Sequence, residues 1–495
     1  MTADQHVDVL IVGAGISGIG MACHLTRELP DKTYAVLERR QGMGGTWDLF
    51  RYPGVRSDSD MFTFGYNFRP WHDTKVLADG ASIRRYVHDT ADEYGVTERI
   101  SFGVRVVSAD WSGADARWTV RAVDERTGDE RTWTAGFLVA GTGYYDYDAG
   151  YRPDFPGEDR FGGTLVHPQQ WPDDLDHAGK KVVIIGSGAT AVTLVPALAE
   201  SGAEHVTMLQ RSPTYIVSLP AVDKITEQLR RVLPTKAVYA LARGRNIAVQ
   251  RGMYALARFR PDAVRKFVVG GARKELAGTS DLANFTPTYE PWDQRLCVVP
   301  DGDLFRVIRE GRADVVTDRI ATFTETGIEL ESGRHLDADI VVTATGLQVQ
   351  MLGGATLSVD GAPVDLNSRL TYKAVLVEGV PNFGMIFGYV NASWTLKADI
   401  AAEYLCRLMQ TMDAKGYASA AATAPADERT DRSVLAVLNA GYVRRGDAAL
   451  PRQGRSGVWK VDNNYLRDAV MLRHASVDDG VLEFAPGHER LSAAR

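Results

Sequence analysis

Cysteine is scarce in this chain. There are three in 495 residues, Cys23, Cys297 and Cys406, and none forms a CxxC pair. This excludes a disulfide-stapled scaffold and a paired-thiol redox centre, and it fits a reducing compartment. The ten histidines show no pair at metal-ligand spacing beside cysteines or carboxylates, so no metal site is expected. No apolar run approaches the roughly 18 residues that a membrane-spanning helix needs. Residues 1–8 lack a basic stretch, and the apolar run from Val9 is only strand-length, so no signal peptide is expected and a cytoplasmic location is. Positive charge is not in excess: a net charge of -7 argues against nucleic acid as the main partner. What remains is ordinary for a globular protein, at 45% apolar and 24% charged residues. The length predicts two or three domains of α/β type.

Glycine, by contrast, is placed with purpose. Val9-Leu10-Ile11-Val12 runs into Gly13-Ala14-Gly15-Ile16-Ser17-Gly18, and Val182-Val183-Ile184-Ile185 runs into Gly186-Ser187-Gly188-Ala189-Thr190-Ala191. Each reads as a buried strand, a tight turn and a helix. The first glycine permits the turn, and the second lets backbone approach a pyrophosphate. The third small residue packs helix on strand, with the helix N-terminus facing the anion. About 20 residues past the first loop, the strand Tyr34-Ala35-Val36-Leu37 ends in Glu38, a carboxylate suited to a ribose diol and hostile to a 2′-phosphate. After the second loop, Val206–Gln210 ends in Arg211 and Ser212, a guanidinium and a hydroxyl suited to a 2′-phosphate. The expectation is one chain holding FAD at the first loop and NADPH at the second.

Two apolar strands end in Thr-Gly, at 137–143 and 338–346. They predict two crossings between the same domains, with one Rossmann-like domain inserted in the other. The expected divisions are 1–145 (FAD domain, first part), 151–332 (NADPH domain, with a helical excursion at about 221–290) and 335–495 (FAD domain, second part). Residues 224–276 hold 13 Lys or Arg against three acids, Glu227, Asp262 and Glu275, with Val238, Leu241 and Ala242 at helical spacing. Solvated helices walling the cleft are one reading; peripheral contact with anionic membrane is the other. The tail beyond about Tyr417 reads as polar, loop-rich and without chemistry.

Between the loops lies Phe161-Gly162-Gly163-Thr164-Leu165-Val166-His167-Pro168-Gln169-Gln170-Trp171-Pro172. It resembles the F-x-G-x-x-x-H-x-x-x-W-P fingerprint of type I Baeyer–Villiger monooxygenases, within the class B flavoprotein monooxygenases. Gly44-Gly45-Thr46-Trp47, Tyr52-Pro53-Gly54 and Asp58 resemble that family's G-G-x-W-x4-Y-P-G-x3-D motif. Trp47–Tyr52 and Asn391–Lys397 are similar to phrases of the actinobacterial ethionamide-activating subgroup. The resemblance implies an NADPH- and O2-dependent flavin enzyme that inserts oxygen into ketones through a C4a-peroxyflavin, giving esters or lactones, and that also oxidises sulfides. A flavin N- or S-monooxygenase without ketone insertion is the alternative.

Site residues follow from the resemblance. Arg295, in Asp293-Gln294-Arg295-Leu296-Cys297, takes the place of the family's active-site arginine, and Asp58 that of its partner carboxylate. A fixed cation there favours the anionic peroxide and the oxyanion formed at the carbonyl. FAD contacts are expected from Gly13, Gly15, Ser17, Gly18, Glu38, Gly45, Thr46, Trp47 and Asp58. NADP contacts are expected from Gly186, Ser187, Gly188, Ala189, Thr190, Arg211 and Ser212. Phe161, Gly163, His167, Trp171 and Pro172 form the motif, with His167 as hinge or packing residue. Cys297, without a neighbouring His or Cys, reads as packing. Two departures stand out: Gln294 replaces a lysine that many relatives use on the 2′-phosphate, and Asp60 adds an acid beyond Asp58 with no role in the motif. Pyridine nucleotide–disulfide reductases share the two-loop plan but need the absent CxxC. The expected partners are a ketone or thioether and O2, with no protein partner inferred.

Overall fold

The computed structural model describes residues 5–73 and 75–486. The apolar run after His6 forms the strand Gln5–Val12, which pairs in parallel with Tyr34–Glu38 on one edge and Glu130–Ala140 on the other. Ile100–Phe102 extends the sheet in parallel beyond Tyr34–Glu38. Val104–Ser112, Arg117–Asp124 and Glu130–Ala140 form an antiparallel meander, and Phe383–Met385 returns late in the chain to pair with Glu130–Ala140. The helix Ile16–Glu28 packs on this sheet and against the long helix Trp394–Lys415.

A second sheet is wholly parallel, in the order Ala313–Thr317, His205–Gln210, Lys181–Ile185, Ile340–Thr343, Thr164–Val166. Its strands are apolar because helices such as Ala189–Glu200 cover its faces. Here the structure departs from the expected boundary. Ile340–Thr343 does not belong to the return into the first sheet. All four of its residues are buried, and it is hydrogen-bonded on both edges within the second sheet. The chain therefore leaves this sheet after Thr343 rather than before His335. Within the tail, expected to be polar and loop-rich, Tyr417–Ala422 pairs with Leu482–Pro486.

Between Leu219 and Cys297 the chain leaves the second sheet as helices Lys224–Leu229, Thr235–Phe259 and Pro261–Leu276. The middle helix is an inverted amphipath. Its inward stripe carries Tyr239, Arg243, Asn246 and Gln250, which hydrogen-bond to the segment 60–66. Its outward stripe carries Leu241, Val249, Leu256 and Phe259, the last 77% exposed. Leu241, grouped with Val238 and Ala242 by spacing, is thus on the opposite side from those two buried residues. No helix among the described residues is long and apolar enough to cross a membrane.

Candidate functional site

The first glycine loop has no slack. Gly13 sits at φ +98°, and a Cβ there would lie 2.9 Å from the Gly141 carbonyl oxygen. A Cβ on Gly18 would lie 1.8 Å from the Gly13 carbonyl oxygen, so only glycine lets the helix meet the strand. No side chain caps the helix Ile16–Glu28, which leaves its first N–H groups open to an anion. Ser17 is buried in the first turn, where its hydroxyl accepts from Trp394 Nε1 at 2.8 Å. Gly45, at φ +58°, closes over Gly15, and Thr46 and Trp47 follow it in the cavity wall. Glu38 ends its strand buried. Its oxygens accept from Ala14 N at 2.7 Å and Arg40 N at 2.8 Å, and burial pushes its carboxyl above the usual range despite those bonds. Each oxygen keeps a lone pair for a ribose hydroxyl. Uncapped helix, bare glycine backbone and buried carboxylate together fit FAD.

These groups share a cavity of about 340 Å³ that runs from Glu38 to Ala189 and Thr190, at the start of the helix after the second glycine loop. That loop repeats the steric logic. Gly186 sits at φ +138°, with a Cβ position 2.3 Å from the Ala344 carbonyl oxygen, whereas the space around Gly188 is open. The helix Ala189–Glu200 has no side-chain cap. Ser187 Oγ donates to the Ser212 carbonyl at 3.1 Å, tying the loop to the end of the next strand. Arg211 and Ser212 are exposed there, and no hydrogen bond or ion pair engages the Arg211 side chain among the described residues. An uncapped helix and an unpaired guanidinium fit NADPH. Gln294, the departure from the motif, is partly buried.

Asp58 and Arg295 line the same cavity, beside Thr190 and Trp394. Arg295 Nε donates to the Val390 carbonyl at 3.3 Å. Arg295 is exposed toward the cavity, and its guanidinium is charged as arginine is at any ordinary pH. Burial raises Asp58 above the usual carboxylate range against the opposing pull of Arg295 and Arg56. The two residues do not touch: no ion pair within 4.0 Å joins them among the described residues, so Asp58 acts on Arg295 through space while Val390 orients it. Asp58 is not a helix cap either; that place falls to Asp60.

Several groups around the cavity escaped the sequence reading. Arg56 is a second cation in its wall, pairing with Asp303 at 2.7 Å, and its buried Nε has no hydrogen-bond partner among the described residues. Tyr144 and Tyr145 also line the cavity with hydroxyls 3.5 Å apart, and burial pushes Tyr145 up to about 12, so it stays a proton donor. Tyr442 stacks on Tyr144 with ring centroids 6.4 Å apart. It comes from the tail thought to hold no chemistry. The Tyr-Tyr pair directly follows Gly143 and was visible as such; Arg56, Asp303 and Tyr442 were not, because only the fold brings them together.

The twelve-residue motif lies where the chain passes between the sheets. Phe161 packs edge-on against Phe323, and a Cβ on Gly163 would lie 2.3 Å from the Asp339 carbonyl oxygen. His167 Nδ1 accepts from Gln169 N at 3.2 Å, and burial lowers its pKa, so the ring is neutral. Its ring lies where a Cβ on Gly150 would go, with contact distances of 1.9 to 2.6 Å. Trp171 packs on the core of the second sheet, and Pro172 follows it partly buried. Cys297 is buried, and burial pushes its thiol up, away from reactive thiolate. No group of residues that could hold a metal ion occurs among the described residues.

A model of the pyridine nucleotide-disulphide oxidoreductase family matches residues 7–239. The chain is 59% identical over 494 residues to the FAD-containing monooxygenase MymA of Mycobacterium tuberculosis (strain ATCC 25618 / H37Rv), covering 99% of this chain and 100% of that one. It is 50% identical over 491 residues to the FAD-containing monooxygenase EthA of Mycolicibacterium smegmatis (strain ATCC 700084 / mc(2)155), covering 99% of each. Among solved structures, an oxidized steroid monooxygenase bound to NADP superposes with a TM-score of 0.77 at 25% identity, over 98% of this chain and 100% of that one. The chain belongs to the FAD-containing monooxygenase family of EthA and MymA, built on the fold of the Baeyer–Villiger monooxygenases.

Proposed function

We propose that this FAD- and NADPH-dependent monooxygenase converts ketones to esters or lactones and also oxidises thioethers. One oxygen atom of O2 enters the substrate and the other leaves as water, with NADPH and a proton consumed. The observation that carries the reading is Arg295. It is a charged guanidinium fixed by Val390 at the point where the first cavity approaches the second helix N-terminus. Bound FAD supplies the electrons taken from NADPH and the activation of O2. The chain's own residues do the rest. Arg295 stabilises negative charge that builds on oxygen during attack on a carbonyl, Asp58 tunes that cation, and Tyr144 and Tyr145 add protonated hydroxyls to the same cavity wall. Arg211 and Ser212 select NADPH by its 2′-phosphate. Product analysis by mass spectrometry tests this on linear, cyclic and aryl ketones and a thioether, with NADPH. Esters or lactones are expected; sulfoxide without any ester assigns the chain instead to N- or S-oxygenation.

A second surface supports a peripheral role at anionic lipid. Ten of the twelve large apolar side chains exposed among the described residues lie between Leu219 and Phe267. Nine exposed Lys or Arg in 224–276 accompany them, against the exposed acids Glu227 and Asp262. A symmetric contact between two copies would bring like charge together, whereas anionic lipid complements it. Co-sedimentation with phosphatidylglycerol vesicles at low salt, with release at high salt, is expected. Absence of binding at low salt leaves these helices as a solvated wall of the cleft.

A further inference from the structure

Asp60 lies two residues beyond Asp58, and its buried carboxylate accepts four hydrogen bonds. Oδ1 accepts from Thr63 N at 3.0 Å and Asn246 Nδ2 at 2.7 Å; Oδ2 accepts from Thr63 Oγ1 at 2.6 Å and Gln250 Nε2 at 3.1 Å. Among the described residues no cation pairs with it. Capping the short helix Met61–Phe64 requires only the bond to Thr63 N. The two amides are beyond that need, and both come from the inward stripe of the helix Thr235–Phe259.

The network continues to the other half of the site. Thr63 Oγ1 lies 2.5 Å from Ser393 Oγ, and Thr395 Oγ1 donates to the carbonyls of Thr63 at 3.0 Å and Phe64 at 2.6 Å. Ser393 follows closely on Val390, whose carbonyl holds Arg295 Nε. Asp60 therefore joins three pieces of chain: the loop bearing Asp58, the segment that orients Arg295, and the outer helix.

We propose that Asp60 is a positioning residue that holds Asp58 and Arg295 in register by tying the outer helix and the 390–395 segment to the loop at 58–64. The role rests on the reading of Arg295 given above. A carboxylate suits it because it alone offers enough acceptor lone pairs for two amides, a hydroxyl and a backbone N–H, and its burial without a cation is tolerable only with all four donors in place.

Asp60→Asn and Asp60→Ser keep a good helix cap but remove acceptors, and Asn246→Ala/Gln250→Ala leaves the cap untouched. In each FAD-loaded variant, NADPH is expected to reduce the flavin at the parent rate. The ratio of ester to hydrogen peroxide per NADPH is expected to fall roughly tenfold, as misplacement of a reacting pair requires. Hydrogen exchange gives a readout apart from turnover: amides at 390–396 as well as 58–66 are expected to exchange faster. An Arg295→Ala background removes what Asp60 positions, so Asp60→Asn added there lowers the ester yield no further. If the parent forms ester and these variants keep its product ratio, or if faster exchange stays within 61–65, Asp60 is a cap and the inference fails. If the parent forms no ester, the reading of Arg295 fails first, and the exchange pattern alone then decides on Asp60.

Discussion

At the scale of single residues, the site is a set of charges gathered in the wall of one cavity. Arg295 keeps its proton because a guanidinium does so at any ordinary pH, and it opens onto the cavity that Asp58 also lines. Asp58 sits above its ordinary range because burial outweighs its two neighbouring cations. Arg211, unlike Arg295, has no hydrogen bond or ion pair to its exposed guanidinium among the described residues, and this suits it to a ligand phosphate. Arg211→Ala is expected to collapse the preference for NADPH over NADH by about 1–3 kcal/mol, the worth of a charge-assisted phosphate contact. The ratio of flavin reduction rates with the two cofactors measures it. An unchanged ratio transfers the role to another residue. Of these charges, the positions of Arg295 and Asp58 in the cavity wall and of Arg211 exposed at a strand end were legible, because each was placed from a motif or a loop. Arg56 was not, because its partner Asp303 is far along the chain and only the fold pairs them.

At the scale of elements, the strand–glycine–helix units were legible because their signal is local: an apolar run, a positive-φ glycine and a helix start within a few residues. The strand Ile340–Thr343 was misplaced for the complementary reason. An apolar strand shows that it is buried but not in which sheet, and its partners lie up to 176 residues away, at Thr164. The outer helix misled in another way, since its periodicity is genuine but its apolar face is the outward one. His167 belongs to this scale because it joins segments. Its ring lies against Gly150, on one connection between the sheets, and it stands near Gly346 on the other. His167→Ala is expected to leave FAD content intact and slow turnover about tenfold or more, because the reaction needs NADPH to deliver hydride and the product cofactor then to shift while staying bound. Gly150→Ala is expected to act in the same direction by pushing the ring away. Pre-steady-state reduction and steady-state turnover separate the steps, and parent-like turnover in His167→Ala contradicts the linking role.

At the scale of the whole molecule, buried charge ties the outer helix to the first domain. His24 contacts Glu28 at 2.7 Å and lies 3.6 Å from Asp399, which also faces Arg243 of the outer helix at 3.6 Å. Burial disfavours the imidazolium, but the nearby Asp399 carboxylate and the bond to Glu28 prevail and raise its pKa to about 9 from 6.5. Because the folded value is the higher one, this stabilisation is complete below about pH 6.5 and is lost as pH rises through about 9. Unfolding free energy is therefore expected to fall over that window by about 3 kcal/mol, and His24→Gln is expected to flatten the fall. Denaturant melts at pH 6 and pH 9.5 check it; an equal slope in the variant places the titration elsewhere. Nothing in the sequence marked His24, since its carboxylate at Asp399 and the guanidinium of Arg243 are assembled by tertiary packing.

If a fixed guanidinium directs activated oxygen onto a carbonyl, the product partition of Arg295→Ala must change. Ester and hydrogen peroxide are measured per NADPH consumed, for the parent, Arg295→Ala and Arg295→Lys, with a ketone that the parent converts. Flavin reduction by NADPH is expected to persist in both variants. Ester is expected to fall at least a hundredfold in Arg295→Ala, about 3 kcal/mol of lost oxyanion stabilisation, with the electrons appearing as peroxide. Arg295→Lys is expected to recover little, because an ammonium cannot keep the planar fork that bonds Val390 while facing the oxygen. Ester formation by Arg295→Ala at near the parent rate would contradict the account.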